Sequence, residues 1–252
     1  MPFHWSAALP MQLPLNEWAA GSPLPVSLLG LLDEEIQLWM ACVPANDEGL
    51  AKLSHCLIPD ERARAGRFSH HDARREFVFA RIFLRKLLGE CLQVNPATLE
   101  FEIQAQGKPC LRASGANREL RFNLSHSGER VVIALARGRE VGVDIEWIHG
   151  LEDWQGISDR IFSPRELAEL HALPRSQQRQ ACFNGWTRKE AWLKATGEGL
   201  TDALPAIEVT LAPDRPPEWL GLPGGRDAMQ RWSVRDIALP EGFAGAVVYE
   251  NT

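Results

Sequence analysis

Val141-Gly142-Val143-Asp144-Ile145-Glu146 alternates apolar and acidic residues, the period-two pattern of a β-strand with one buried face. On that pattern Val143 and Ile145 turn into a core, and Asp144 and Glu146 share the opposite face. Two carboxylates ~6–7 Å apart, from a rise of ~3.3 Å per residue, repel each other unless a cation lies between them. Rigidly held oxygen ligands with room for water and substrate phosphates suit Mg²⁺. Taken alone, an Asp-x-Glu strand is more often an acidic solvent face. The chemistry depends on what else the chain brings to it.

Three further stretches bring reactive groups. In Phe183–Ala195, Trp186, Glu190 and Lys194 are spaced i, i+4, i+8 and share one helix face, although a lone Glu–Lys pair is usually an exposed ion pair. Asn123-Leu124-Ser125-His126-Ser127 clusters small polar side chains at a strand end, where a hairpin turn would be the plainer explanation. Between Arg62 and Lys86 seven arginines and one lysine stand against Asp72 and Glu76, a basic segment that is either an anion site or a solvated helix face.

The elements that must hold these groups come in two rounds. Ile36–Val43 reads as a strand, Pro59-Asp60-Glu61 as a helix start, Ala73–Cys91 as a helix and Leu99–Ile103 as a strand. Arg121–Leu124 and Arg130–Ala136 follow as strands around the turn Ser125–Glu129. Val141–Trp147 then starts the order again: a helix start capped by Ser163, a helix over Gln180–Ala195, and strands at Ile207–Leu211, Arg231–Ile237 and Phe243–Glu250. Val141 lies 105 residues after Ile36, and Pro164 lies 105 after Pro59. The same order at the same offset implies a duplication. The expected fold is α+β, with two pseudo-symmetric halves, each a helix on a small, mainly antiparallel sheet. The active site then lies in the cleft between them. Residues 1–35 form an irregular N-terminal extension packing through Trp5 and Trp18, 36–140 the first half and 141–252 the second.

Composition limits the function classes. The chain has 252 residues, 45% hydrophobic and 24% charged, with a net charge of −6 that argues against nucleic acid as a partner. Its five scattered cysteines include no C-x-x-C pair, so neither a zinc site nor a disulfide framework is indicated. Without a signal-peptide pattern or a membrane-length apolar run, the expected location is cytoplasmic.

Together, Asn123–Ser127, Gly142–Glu146 and Trp186–Lys194 closely resemble the signature blocks of 4′-phosphopantetheinyl transferases. The two-half layout resembles the surfactin-synthetase-activating type over about Ile36–Glu250. The resemblance implies transfer of the phosphopantetheine arm of coenzyme A to a serine of an acyl or peptidyl carrier protein, with release of 3′,5′-ADP. It implies Asp144, Glu146 and Glu190 as Mg²⁺ ligands, with Glu190 also the base, directly or through a metal-bound water. Lys194 would meet the pyrophosphate, Ser125 and His126 would orient coenzyme A, and Arg64 would take its 3′-phosphate. Lys108, in Gly107-Lys108-Pro109, matches another coenzyme A contact. Arg75, Arg81 and Arg85 are further phosphate candidates, Trp186 is read as core, and Gly197–Thr201 as a carrier-docking patch. A monomer is expected, since the duplication supplies internally what shorter relatives assemble from subunits. The rival readings are a non-catalytic coenzyme A-binding or carrier-docking protein and, more distantly, a Mg²⁺-dependent phosphohydrolase.

Overall fold

Leu38–Ala41 and Val131–Ala136 are buried at every position, which a strand achieves only when both of its faces are covered. The computed structural model describes residues 12–13, 15–24, 36–104, 107–112, 119–148, 153–199 and 204–251. Two short strands come first, β1 (Gln12–Leu13) and β2 (Asn16–Trp18). There follow β3 (Gln37–Cys42), α1 (Asp47–Leu53), α2 (Pro59–Ala65), α3 (His71–Leu92), β4 (Phe101–Ile103), β5 (Pro109–Leu111), β6 (Leu120–Ser127) and β7 (Arg130–Arg137). The second round is β8 (Val141–Trp147), α4 (Trp154–Ile161), α5 (Pro164–Ala172), α6 (Arg175–Thr196), β9 (Glu208–Val209), β10 (Trp219–Gly221), α7 (Gly225–Arg231), β11 (Trp232–Ile237) and β12 (Phe243–Glu250).

One sheet is ordered β2-β3-β7-β6 and the other β1-β11-β12-β8. In each, the first, last and next-to-last strands of a half pair antiparallel in the same order, β3-β7-β6 matching β8-β12-β11. The α+β fold with mainly antiparallel sheets is therefore the expected one. The N-terminal residues depart from the expected irregular extension. β1 joins β11 and β2 joins β3, both in parallel, so this segment extends both sheets. Trp18 stacks on Phe83 at 5.1 Å, while Trp5 lies outside the described residues.

Four layers result: helix, sheet, sheet, helix. Phe79, Phe83 and Leu87 of α3 pack on Trp39, Phe122 and Ile133. Leu38, Met40 and Val132 of the first sheet meet Val143, Ile145 and Val247 of the second. Ala191, Trp192 and Ala195 of α6 close the far side against Val234 and Val248. At ~1.5–3 kcal/mol per fully buried large apolar side chain, the sheet–sheet layer is the main force joining the halves.

Buried ion pairs brace the helices. Glu61 receives Arg81 Nε at 2.6 Å and Arg85 Nε at 2.7 Å, and Arg85 also donates to the carbonyls of Pro96 and Leu99. Arg85 is fully buried. These two arginines, expected as phosphate candidates, are instead struts between α2, α3 and the start of β4. Ser163 caps α5 in a capping box with Glu166, as its sequence pattern indicates. Glu166 also accepts from Lys189 Nζ at 2.6 Å and from the Val209 amide at 3.0 Å. Lys189 donates in addition to the carbonyls of Ile161 and Leu204, so α4, α5 and β9 are all tied to α6. Both Glu166 and Lys189 are wholly buried. Glu166→Gln leaves the Lys189 ammonium buried without a counter-charge, and should lower stability by ~3–5 kcal/mol in urea unfolding.

Candidate active site

β6 and β8 are the facing edges of the two sheets, and side chains join them in place of a backbone ladder. The amides of Val143, Ile145 and Trp147 donate to Asn123 Oδ1 (2.9 Å), Ser125 Oγ (3.3 Å) and Ser127 Oγ (2.9 Å). Alternate residues of β6 thus serve alternate amides of β8, as the two-residue period of both strands requires. The polar pattern of Asn123–Ser127 predicts a strand end with a turn at Ser125; the strand instead continues to Ser127. The polar cluster is a seam rather than a hairpin turn.

On the other face of β8 lies α6. A Cβ on Gly142 would stand 2.1 Å from the Ala191 carbonyl oxygen and 2.3 Å from the Ala195 nitrogen. Only glycine lets the helix backbone rest on the strand here. That approach brings Glu190 and Lys194 over the acidic residues of β8. Asp144 is accordingly 4% exposed. The plainer alternative of an acidic solvent face is ruled out for it, because α6 covers it.

The groups converge on a pocket of about 360 Å³ lined by Ser125, His126, Asp144, Glu146, Glu190 and Lys194, with Leu124 and Trp186 as apolar wall. Lys194 Nζ donates to Asp144 Oδ1 at 2.6 Å and to Ser125 Oγ at 3.1 Å, and Ser125 Oγ donates to the same carboxylate oxygen at 2.8 Å. Ser127 Oγ donates to Glu146 Oε2 at 2.9 Å. Asp144 Oδ2 is buried with no hydrogen-bond partner among the described residues. Burial pushes the Glu190 carboxyl up to about 7; Asp144 and Glu146 add to the rise and Lys194 opposes it. Burial and Asp144 likewise raise Glu146, against its bond from Ser127.

Among the described residues no three metal-ligating side chains are drawn around one point. The donor set nevertheless fits a hard cation. Among the described residues Asp144 Oδ2 is a buried acceptor lacking a donor, and burial followed by the charge of Asp144 raises both neighbouring carboxyls, an arrangement a divalent ion would relieve. Asp144, Glu146 and Glu190 would be its protein ligands.

Of the other predicted residues, His126 lines this pocket at its edge, whereas Arg64, Lys108 and Arg75 stand elsewhere. His126 is half exposed, with Nδ1 3.8 Å from Glu76 Oε2, at the seam between α3 and β6. Arg64 lies over the Phe77 ring at 5.1 Å and lines an open surface pocket with Arg67 and Phe68. Lys108 does not join the carboxylate pocket. Its three hydrogens are taken by Glu140 (3.0 Å) and the carbonyls of Val141 and Ala195 (3.2 Å each), which clamps the first half to both β8 and α6. Arg75 pairs with Asp72 at 3.2 Å. Trp186 stacks on Phe183 at 6.2 Å yet also lines the pocket, so it is wall as well as packing. Ser127 is a site residue that sequence reasoning misses, although its two-residue spacing from Ser125 is a signal that could find it. The expected docking patch Gly197–Thr201 falls partly outside the described residues.

Because Glu190 titrates near 7 when folded and near 4.5 when unfolded, its carboxyl favours the folded state at low pH, a contribution lost as pH rises through 7. In EDTA at pH 8, Glu190→Gln should be about 1–2 kcal/mol more stable than the wild type, with the gap shrinking toward pH 5. Thermal unfolding at the two pH values checks this.

Residues 140–248 match the 4′-phosphopantetheinyl transferase superfamily, and residues 40–137 match a second family, 4′-phosphopantetheinyl transferase, N-terminal. The 4′-phosphopantetheinyl transferase HetI of a Nostoc species is 36% identical over 225 residues, covering 89% of this chain and 91% of that protein. The 4′-phosphopantetheinyl transferase Sfp of Bacillus subtilis is 27% identical over 171 residues, 68% of this chain and 74% of its own. A holo-(acyl-carrier-protein) synthase from Bacillus anthracis, solved in complex with CoA (3′,5′-ADP), is 22% identical over 45% of this chain and 96% of its own, with a TM-score of 0.36. The matches run through both halves and through all three polar blocks of the cleft: the chain belongs to the 4′-phosphopantetheinyl transferase superfamily.

Proposed function

We propose that this chain transfers the 4′-phosphopantetheine group of coenzyme A to a serine hydroxyl of an acyl or peptidyl carrier protein, releasing 3′,5′-ADP, with Mg²⁺ as the metal. The observation that carries the reading is the Lys194–Asp144–Ser125 cluster, flanked by Glu146 and Glu190 in the cleft where β6, β8 and α6 meet.

The reaction requires the serine oxygen to bond to the phosphorus that bears pantetheine. The bond from that phosphorus to the bridging oxygen breaks, and the electron pair leaves with 3′,5′-ADP. Glu190, on α6 above β8, is placed to take the serine proton, directly or through one water. Lys194 supplies positive charge one helical turn further on, where an ammonium would meet the pyrophosphate oxygens and the departing phosphate. A bound Mg²⁺ would neutralise pyrophosphate charge and polarise the reacting phosphorus. Asp144 and Glu146 hold their oxygens on one strand, with Asp144 anchored from beneath by Ser125 and Glu146 by Ser127. Such anchoring fixes the carboxylates before substrate arrives. Ser125 and His126, on the first half, are placed to orient coenzyme A. Arg64 is the candidate for its 3′-phosphate, while Lys108 acts here through the clamp between the halves. A monomer within the cytoplasm suits a site built from both halves of one chain.

The test is the intact mass of an apo carrier protein incubated with the protein, coenzyme A and Mg²⁺, with and without EDTA. A metal-dependent gain of the phosphopantetheine mass is expected. Coenzyme A binding with no gain on any carrier would instead favour a non-catalytic binding protein. Glu190→Gln should keep coenzyme A binding in calorimetry and lose transfer by ~10²–10⁴-fold. Wild-type turnover in that variant would remove Glu190 from the mechanism.

A further inference from the structure

A second pocket, of about 400 Å³, opens between α1, α2 and α3 and shares no residue with the carboxylate site. Most of its wall surface is apolar, with Leu50, Leu57, Ala65 and Val78 at the contact between the three helices. Three arginines, Arg62, Arg74 and Arg75, also line it. Arg62 and Arg74 are exposed, and neither meets a carboxylate among the described residues; Arg62 donates only to the Leu57 carbonyl. Arg75 is bound at one end to Asp72 and the Ala45 carbonyl, yet its Nε–H is buried with no acceptor. The single acid of the wall, Asp47, is engaged by His71 at 3.0 Å. The pocket is thus an apolar chamber with cationic charge in excess.

We infer that this pocket binds a small amphipathic carboxylate, an aliphatic chain of moderate length carrying one anionic head group. Pockets of ~300–1,000 Å³ with apolar walls and a few convergent polar groups are the usual form of small-molecule sites. Guanidinium groups pair with a carboxylate through two parallel hydrogen bonds, and the chain replaces water against the leucines and Val78. The inference uses none of the residues that line the carboxylate pocket.

Calorimetric titration of the intact protein with octanoate, with 1-octanol as the uncharged control, tests it. Octanoate should bind saturably at one site, and 1-octanol about tenfold more weakly. Ala51, exposed on the pocket wall, offers a plug that leaves the core untouched: Ala51→Trp should abolish octanoate binding while its thermal unfolding stays that of the wild type. Arg74→Ala should weaken binding about three- to fivefold. The inference is overturned by absence of saturable binding, by equal affinity for 1-octanol, or by full octanoate binding in a folded Ala51→Trp variant.

Discussion

The seam between β6 and β8 is the constraint on which the rest depends. Two sheet edges meet there, and each would otherwise present unpaired backbone groups to the interior. Asn123, Ser125 and Ser127 satisfy three amides of β8, and the same serines then steady Asp144 and Glu146. One set of hydroxyls therefore closes the interface and sets the acidic site. A shift of one residue along either strand would turn these hydroxyls away from the amides and the carboxylates alike. The site is as well fixed as the interface because they are built from the same bonds.

The opposite face of β8 imposes the second condition. Gly142 permits contact between strand and helix backbones, and α6 carries its charged residues in on that contact. Lys189 and Glu190 are neighbours with contrasting environments. The lysine is wholly buried and has three oxygen partners, one of them Glu166, which braces α6 from behind. Glu190 lines the pocket, where burial first and the neighbouring carboxylates second raise its proton affinity. Full satisfaction marks a strut; crowding and an orphaned oxygen, as at Asp144 Oδ2, mark a place prepared for something else.

Much of this is legible in the sequence. Strand β8 carries the bounds that its alternation gives it and β12 those of its apolar run, and the Ser163 cap and the duplicated order need only local signals. Strand and helix periods pair Asp144 with Glu146 and Glu190 with Lys194, and the resemblance to 4′-phosphopantetheinyl transferases joins the two pairs. What the sequence does not yield is which faces meet. Asp144 reads as solvent-facing because nothing in β8 alone reveals α6 lying over it. Arg81 and Arg85 read as phosphate candidates, and Lys108 as a coenzyme A contact by resemblance, because neither a basic run nor a motif shows where a carboxylate waits. Glu61 lies 24 positions before Arg85, and Glu140 lies 32 after Lys108. The strands β1 and β2 escape sequence reading for a related reason: two or three residues give no periodicity, and only the edge they join defines them.

The central claim is that β8 and α6 hold a cation-binding set of carboxylates in the cleft between the halves. Its most direct test is anomalous diffraction from crystals grown with coenzyme A and Mn²⁺ in place of Mg²⁺. The account predicts one anomalous peak within bonding distance of Asp144 Oδ2, contacted by Glu146 and Glu190 and by the pyrophosphate. Coenzyme A bound in the cleft with no peak there, or with the metal held by other residues, would contradict it.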